Sequence, residues 1–81
     1  MKTLLLVDDV PSNLDVLLGV LPQAGYAVRV AEPGERALRQ MPHTRPDLVL
    51  LDVMMRGIDG LETCRRLKAE AAWRDIPVIF M

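Results

Sequence analysis

The sequence has a single cysteine, no long apolar run and no excess of charge of either sign. Each absence excludes a class of protein. Cys64 alone cannot close an intramolecular disulfide, which argues against a disulfide-stapled secreted domain and fits a reducing cytoplasm. Ten basic against eleven acidic residues leave a net charge of −1, which provides no electrostatic footprint for nucleic acid. No apolar stretch approaches the roughly 20 residues that span a bilayer. The N-terminal apolar run, Leu4-Leu5-Leu6-Val7, ends on two carboxylates and is followed by no small-residue cleavage site, unlike a signal peptide. Neither G-x-G-x-x-G nor G-x-x-x-x-G-K-[ST] occurs, so a dinucleotide site and a P-loop are disfavoured. There is no internal repeat, low-complexity stretch or linker. We expect a soluble, cytoplasmic protein without nucleic-acid or membrane contacts.

What is present is a compact apolar pattern. The 81 residues form at most one domain. The apolar fraction of 51% exceeds the usual level of about 45–50%, so collapse is favoured over disorder. A chain this short buries only about two-thirds of the surface that its unfolded form exposes, and its stability margin is thin.

Four apolar runs alternate with helical patterns. Residues 4–7 read as a first strand ending at Asp8-Asp9. Pro11 opens a helix with Leu14, Leu17, Leu18 and Leu21 on one face, and Gly25 stops it. Residues 26–30 are a second strand. Pro33-Gly34-Glu35 begins a short helix with Ala37 and Met41 on one side, ended by Pro42, with 43–46 as loop. Leu48-Val49-Leu50-Leu51 is a third strand ending on Asp52, followed by a loop over 53–58. Asp59 and Glu62 have capping-box spacing ahead of a helix carrying Leu61, Cys64, Leu67 and Ala71. Residues 76–80 form a last strand, entered through Pro77. The order β-α-β-α-β-α-β, with strands apolar on both faces, predicts an α/β fold: a parallel sheet covered by helices on two sides.

Three acids follow apolar strands: Asp8 and Asp9 after the first, Asp52 after the third. In open α/β sheets, ligands bind beyond the carboxyl ends of strands where strand order reverses. In a 2-1-3-4 order these acids converge there. Close carboxylates repel by up to roughly 4 kcal/mol per pair at an effective dielectric near 20. A hard divalent cation removes that cost, and Mg2+ takes oxygen ligands while keeping several waters. A lone Asp after a strand serves equally well as a helix cap. Three such acids together favour a Mg2+ site at which a phosphoryl group is handled.

The stretches Leu4-Leu5-Leu6-Val7-Asp8-Asp9-Val10-Pro11-Ser12-Asn13-Leu14, Pro46-Asp47-Leu48-Val49-Leu50-Leu51-Asp52-Val53-Met54-Met55, Asp59-Gly60-Leu61-Glu62, Cys64-Arg65-Arg66-Leu67-Lys68 and Asp75-Ile76-Pro77-Val78-Ile79-Phe80-Met81 together resemble the response-regulator receiver domain of two-component signalling. The resemblance covers essentially the whole chain. It implies a flavodoxin-like, three-layer parallel sheet of order 2-1-3-4, one receiver-like domain over residues 1–81 that lacks the last helix-strand-helix portion of the family fold. It implies that Asp52 is the phosphoacceptor, taking a phosphoryl group from a sensor histidine kinase or phosphotransfer protein. It also implies Mg2+ ligation (Mn2+ as a substitute) by Asp9, Asp52 and the backbone carbonyl of Met54, with Asp8 acting through metal-bound water. Such a chain is a signalling phosphoacceptor more than a true enzyme.

Two departures from the pattern matter. Arg56 stands where the family usually has proline, which leaves the loop freer and brings a cation near the acids as a loop contact. The family's switch hydroxyl and phosphoryl-contacting lysine have no counterpart, since Lys2 and Lys68 are the only lysines and neither matches that role. Impaired phosphorylation is therefore expected, and the apolar last strand predicts homo-oligomers through its uncovered edge and the bared sheet faces. The rival readings are a degenerate receiver acting only in protein interaction or dimerisation and, ranked lower, a Mg2+-dependent aspartyl-phosphate phosphatase, which usually carries Asp-x-Asp where this chain has Asp8-Asp9. His43 reads as a loop histidine, Cys64 as a small core residue, and Trp73 as half-packed. Arg65, Arg66, Lys68 and Arg74 read as a solvated basic face.

Overall fold

A computed structural model describes residues 1–31 and 33–81. Four strands, β1 (Lys2–Val7), β2 (Tyr26–Ala31), β3 (Leu48–Leu51) and β4 (Val78–Phe80), alternate with helices α1 (Pro11–Val20), α2 (Glu35–Thr44) and α3 (Gly60–Ala69). All strand pairs are parallel, as the alternation of apolar runs with helices implies, and the sheet order is β2-β1-β3-β4, the order that the family resemblance implies. Among the described residues no helix is long and apolar enough to cross a membrane.

Side chains alternate across the pleat, so each central strand feeds two cores. Leu5, Val7, Val49 and Leu51 point to one face and pack with Ala37 and Met41 of α2 and Leu67 of α3. Leu4, Leu6 and Leu50 point to the other face, against Leu14 and Leu17 of α1 and the neighbouring Leu21. The middle strands are thus apolar without interruption because both of their faces are covered.

Several boundaries differ from the sequence reading. α1 ends at Val20 and passes through a short 3-10 turn over Pro22–Ala24 before Gly25, whose positive φ of 96° closes the turn. Leu18 flanks the apolar stripe and is 41% exposed, so Leu14, Leu17 and Leu21 make the contact with the sheet. Pro42 does not end α2. It lies in the last turn, where its missing N–H removes one helical bond, while buried Met41 anchors that turn and its carbonyl accepts from Arg45 N–H at 2.9 Å. Arg45 then ends the helix in the left-handed region, φ 50°, and His43 belongs to the helix instead of a loop.

α3 begins where the spacing of Asp59 and Glu62 indicates, but only half of the capping box forms. Asp59 Oδ1 accepts from Glu62 N–H at 2.8 Å, while the Glu62 carboxylate turns to Arg65 and Arg66. Those two partners hold Glu62 well below the usual carboxylate range, at about 2. The buried face of α3 is Gly60, Thr63 and Leu67, with Cys64 half-buried beside them; Leu61 is exposed and Ala71 lies beyond the helix. β4 is shorter than expected, and Lys68 Nζ donates to the carbonyls of Arg74 and Ile76 in the turn that leads into it. Trp73 packs at the edge of the core, half-buried as its context predicted.

The two-sided sheet makes a stability prediction. Leu5→Ala removes a fully buried side chain and costs about 2–5 kcal/mol, whereas Val16→Ala on the open side of α1 stays within about 0.5 kcal/mol of wild type. Urea denaturation followed by circular dichroism checks both values.

Candidate functional site: an acidic centre at the strand ends

The site follows from strand register. Val7 of β1 pairs with Leu51 of β3, so the residues that follow, Asp8 and Asp52, leave the sheet side by side. The Asp52 N–H donates to the Val7 carbonyl at 3.0 Å and extends the pairing to the acid itself. β1 and β3 are neighbours, while the chain between them runs out to β2 and back. This is the switch point at which open α/β sheets bind ligands.

One carboxylate oxygen from each of Asp8, Asp9 and Asp52 lies within 4.8 Å of the others. The acids differ in setting. Asp8 is buried, 2% exposed, and both its oxygens are engaged: Oδ1 accepts from Val10 N–H at 2.9 Å and Oδ2 from the Asn13 side-chain amide at 3.2 Å. Asp9 and Asp52 are half-buried. Asp9 Oδ2 accepts from Arg56 N–H at 3.3 Å, and Asp52 Oδ1 accepts from Met54 N–H at 3.1 Å. Burial raises the Asp52 carboxyl above its ordinary value, and the adjacent Asp8 and Asp9 add to the rise; the Met54 N–H opposes it.

The donor set suits a hard cation. Three carboxylates supply oxygen ligands and no soft or imidazole donor intrudes, the chemistry that Mg2+ takes. Asp8, with both oxygens engaged by the protein, is suited to an indirect role, and Asp9 and Asp52 each keep one oxygen clear of these bonds. Arg56 contributes its backbone N–H; among the described residues its guanidinium makes no ion pair, and the side chain is exposed. Asp9, Met54, Met55, Arg56 and Asp59 line an open cleft of about 430 Å³ beside the acids. A wider groove of about 760 Å³ lies between α2 and α3, lined by His43, Arg65, Arg66 and Trp73. Arg65 and Arg66 on its wall are both tied to Glu62, and the groove lies away from the three acids.

Two contributors escaped the sequence reading. Asn13 holds Asp8 from the first turn of α1; its place five residues after Asp8, just past the helix-opening Pro11, was the available signal. Gly60 packs against the backbone of Asp52 itself.

Comparison with known proteins agrees with this geometry. The family model described as the response regulator receiver domain matches residues 4–81. The response regulator PleD of Caulobacter vibrioides is 41% identical over 78 residues, covering 96% of this chain and 17% of that protein. The receiver domain of the sensor histidine kinase PA1611 from Pseudomonas aeruginosa PAO1, solved with a magnesium ion coordinated in its active-site cleft, superposes with a TM-score of 0.91 at 32% identity, covering 98% of this chain and 65% of that one. A chain in the crystal structure of the histidine kinase ThkA with the response regulator TrrA superposes with a TM-score of 0.88 at 38% identity, covering 99% of this chain and 67% of that one. The chain belongs to the response-regulator receiver domain family of two-component systems, and its sheet is the flavodoxin-like arrangement of that family. It spans less than a fifth of the length of PleD.

The raised Asp52 carboxyl has a testable sign. A folded-state pKa above the unfolded value means that the folded chain binds the proton more tightly, so stability falls as pH rises from about 4 through the folded pKa. Asp52→Asn removes this slope. In metal-free buffer at pH 7 the variant melts higher than wild type, and the gap closes towards pH 4. Thermal scans across pH with a chelator present check this.

Proposed function

We propose that this chain is a phosphoacceptor module in which Asp52 accepts a phosphoryl group from a histidine kinase or phosphotransfer protein. The observation that carries the reading is the convergence of Asp8, Asp9 and Asp52 at the ends of two paired strands. Asp52 is the nucleophile: a carboxylate oxygen attacks phosphorus, the P–O bond forms as the P–N bond to the donor imidazole breaks, and the electron pair returns to the imidazole. Met54 N–H fixes one Asp52 oxygen and orients the other. Asp9 is held by the Arg56 N–H, and Asp8 by Val10 and Asn13. Asp9, Asp52 and the Met54 carbonyl would hold Mg2+, or Mn2+ in its place, and Asp8 would act through water. The metal, when bound, offsets charge on the transferring phosphoryl oxygens.

The partner docks beside the acids. Asn13, Val16, Leu17 and Met81 line an apolar cleft of about 310 Å³ that begins at the residue holding Asp8. Val16 is 65% exposed, and an exposed apolar surface next to a reactive group favours a protein donor. The reading carries a cytoplasmic location, to which the single half-buried Cys64 is suited.

Incubation with Mg2+ and acetyl phosphate is expected to give an acid-stable, base-labile adduct detected by mass spectrometry. Asp52→Asn abolishes it, and Asp9→Ala weakens Mg2+ binding by at least about tenfold. A wild-type chain that binds Mg2+ but forms no adduct would favour an interaction-only receiver.

We also propose that the 81-residue chain self-associates. β4 lies at the edge of the sheet, and Ile79, Phe80 and Met81 are 50%, 42% and 43% exposed. An uncharged apolar edge is a template for a second chain. Light scattering at micromolar concentration is expected to give a mass above that of the monomer; a strictly monomeric mass sinks this part of the reading.

A further inference from the structure

We infer that Gly60 is a positioning residue for the acidic centre: it lets the first turn of α3 lie directly on the Asp52–Val53 peptide and so sets the direction in which the acceptor and its loop leave β3. The inference rests on the reading of Asp52 as the acceptor. Gly60 is buried, and a Cβ built on it would stand 2.2 Å from the Asp52 carbonyl oxygen, 2.7 Å from Val53 Cα and 2.9 Å from the Asp52 carbonyl carbon. All three are backbone atoms, which cannot rotate aside as a flexible side chain can. The glycine is not there for a left-handed conformation; Gly25, Gly34 and Gly57 have positive φ and Gly60 does not. Alanine is intrinsically the better helix former, so the requirement at this position comes from contact.

A hydrogen bond acts on the same segment. Gly60 N–H donates to the Val53 carbonyl at 3.0 Å. The start of α3 is itself fixed: Thr63 donates to the Asp59 carbonyl through both its N–H (2.9 Å) and its hydroxyl (2.8 Å), and Thr63 and Leu67 are buried on the sheet-facing side. A methyl group at position 60 therefore has to displace either an anchored helix or the Asp52–Val53 peptide. The loop from 52 to 59 is the softer side, and it carries Asp52, the Met54 N–H bond to Asp52 and the Arg56 N–H bond to Asp9. One displacement disturbs two of the three acids.

The test titrates Mg2+ into wild type, Gly60→Ala and Leu61→Ala, following backbone amides by NMR and the folded fraction by circular dichroism on the same samples. Leu61 is the exposed neighbour and serves as control. Folded Gly60→Ala is expected to bind Mg2+ about 10- to 100-fold more weakly, the range seen when a ligand-orienting partner is lost, and Leu61→Ala is expected to match wild type. In wild type, the Gly60 amide is expected to shift with the same apparent Kd as those of Val53 and Met54, a readout that holds even if Gly60→Ala fails to fold. Unchanged Mg2+ affinity in folded Gly60→Ala overturns the inference alone, as does a wild-type Gly60 amide that ignores Mg2+ while Val53 and Met54 respond. Absence of any Mg2+ response in wild type overturns the acidic-centre reading and this inference with it.

Discussion

The register of β1 against β3 is the constraint on which the rest of this molecule depends. Val7 opposite Leu51 aligns the two apolar runs, so that Leu5, Val7, Val49 and Leu51 share one face and Leu4, Leu6 and Leu50 the other. A one-residue slip of either strand would exchange its faces and break both cores together. The same register ends both runs at one level, so the first polar residue of each strand, Asp8 and Asp52, emerges next to the other. Burial specifies the pairing, and the pairing assembles the acids. The chemistry at the strand ends is a by-product of core packing in position, though not in residue type.

The molecule distributes its charge in two opposite ways. On α3, Glu62 is satisfied by Arg65 and Arg66 and held at about 2, with Arg66 also reaching Glu35. At the strand ends, among the described residues, no ion pair includes Asp8, Asp9 or Asp52. Neutral N–H groups from Val10, Asn13, Met54 and Arg56 are the donors there. Such donors orient a carboxylate without cancelling its charge. Its arginines pull Glu62 below the ordinary range, while burial and then the neighbouring Asp8 and Asp9 push Asp52 above it. The stability contribution of the Glu62 pairing is lost as pH falls towards 2, whereas ionised Asp52 weighs on the fold as pH rises above its raised pKa. An uncompensated site of this kind is a standing demand for positive charge.

Much of this was legible in the chain. The four apolar runs gave the strands, their alternation with helical patterns gave the parallel sheet, and the acids at the run ends gave the centre, because burial writes itself into residue type. What escaped depends on interactions whose outcome residue type does not decide. Pro42 signals a helix end, yet the anchoring of Met41 carries α2 one turn further. The Asp59 and Glu62 spacing fits a reciprocal capping box, yet two arginines compete for Glu62 and win it. Leu61 matched the apolar period but faces solvent, while Gly60, with no side chain to read, lies directly on the Asp52–Val53 backbone. Glycine is recognised in a sequence by the turns it permits. Its use as an empty volume becomes visible only when the neighbouring backbone is in place.

The uneven cover of the sheet bears on how the centre is reached. Two helices, α2 and α3, lie over one face and one, α1, over the other, so apolar surface remains open on the side of α1. Val16 and Val20 are 65% and 58% exposed, and Met81 meets Val16 and Leu17 across an open cleft. Asn13 belongs to that cleft and also donates to Asp8, so the open apolar surface and the acids share a residue. α1 carries no charged side chain apart from Asp15, and among the described residues it contributes Leu14 and Leu17 to the core beneath it. Val16, Leu18 and Val20 on its outer side stay exposed. Through Asn13 this open surface reaches the turn that holds Asp8, so the proposed phosphodonor would meet it next to the acids.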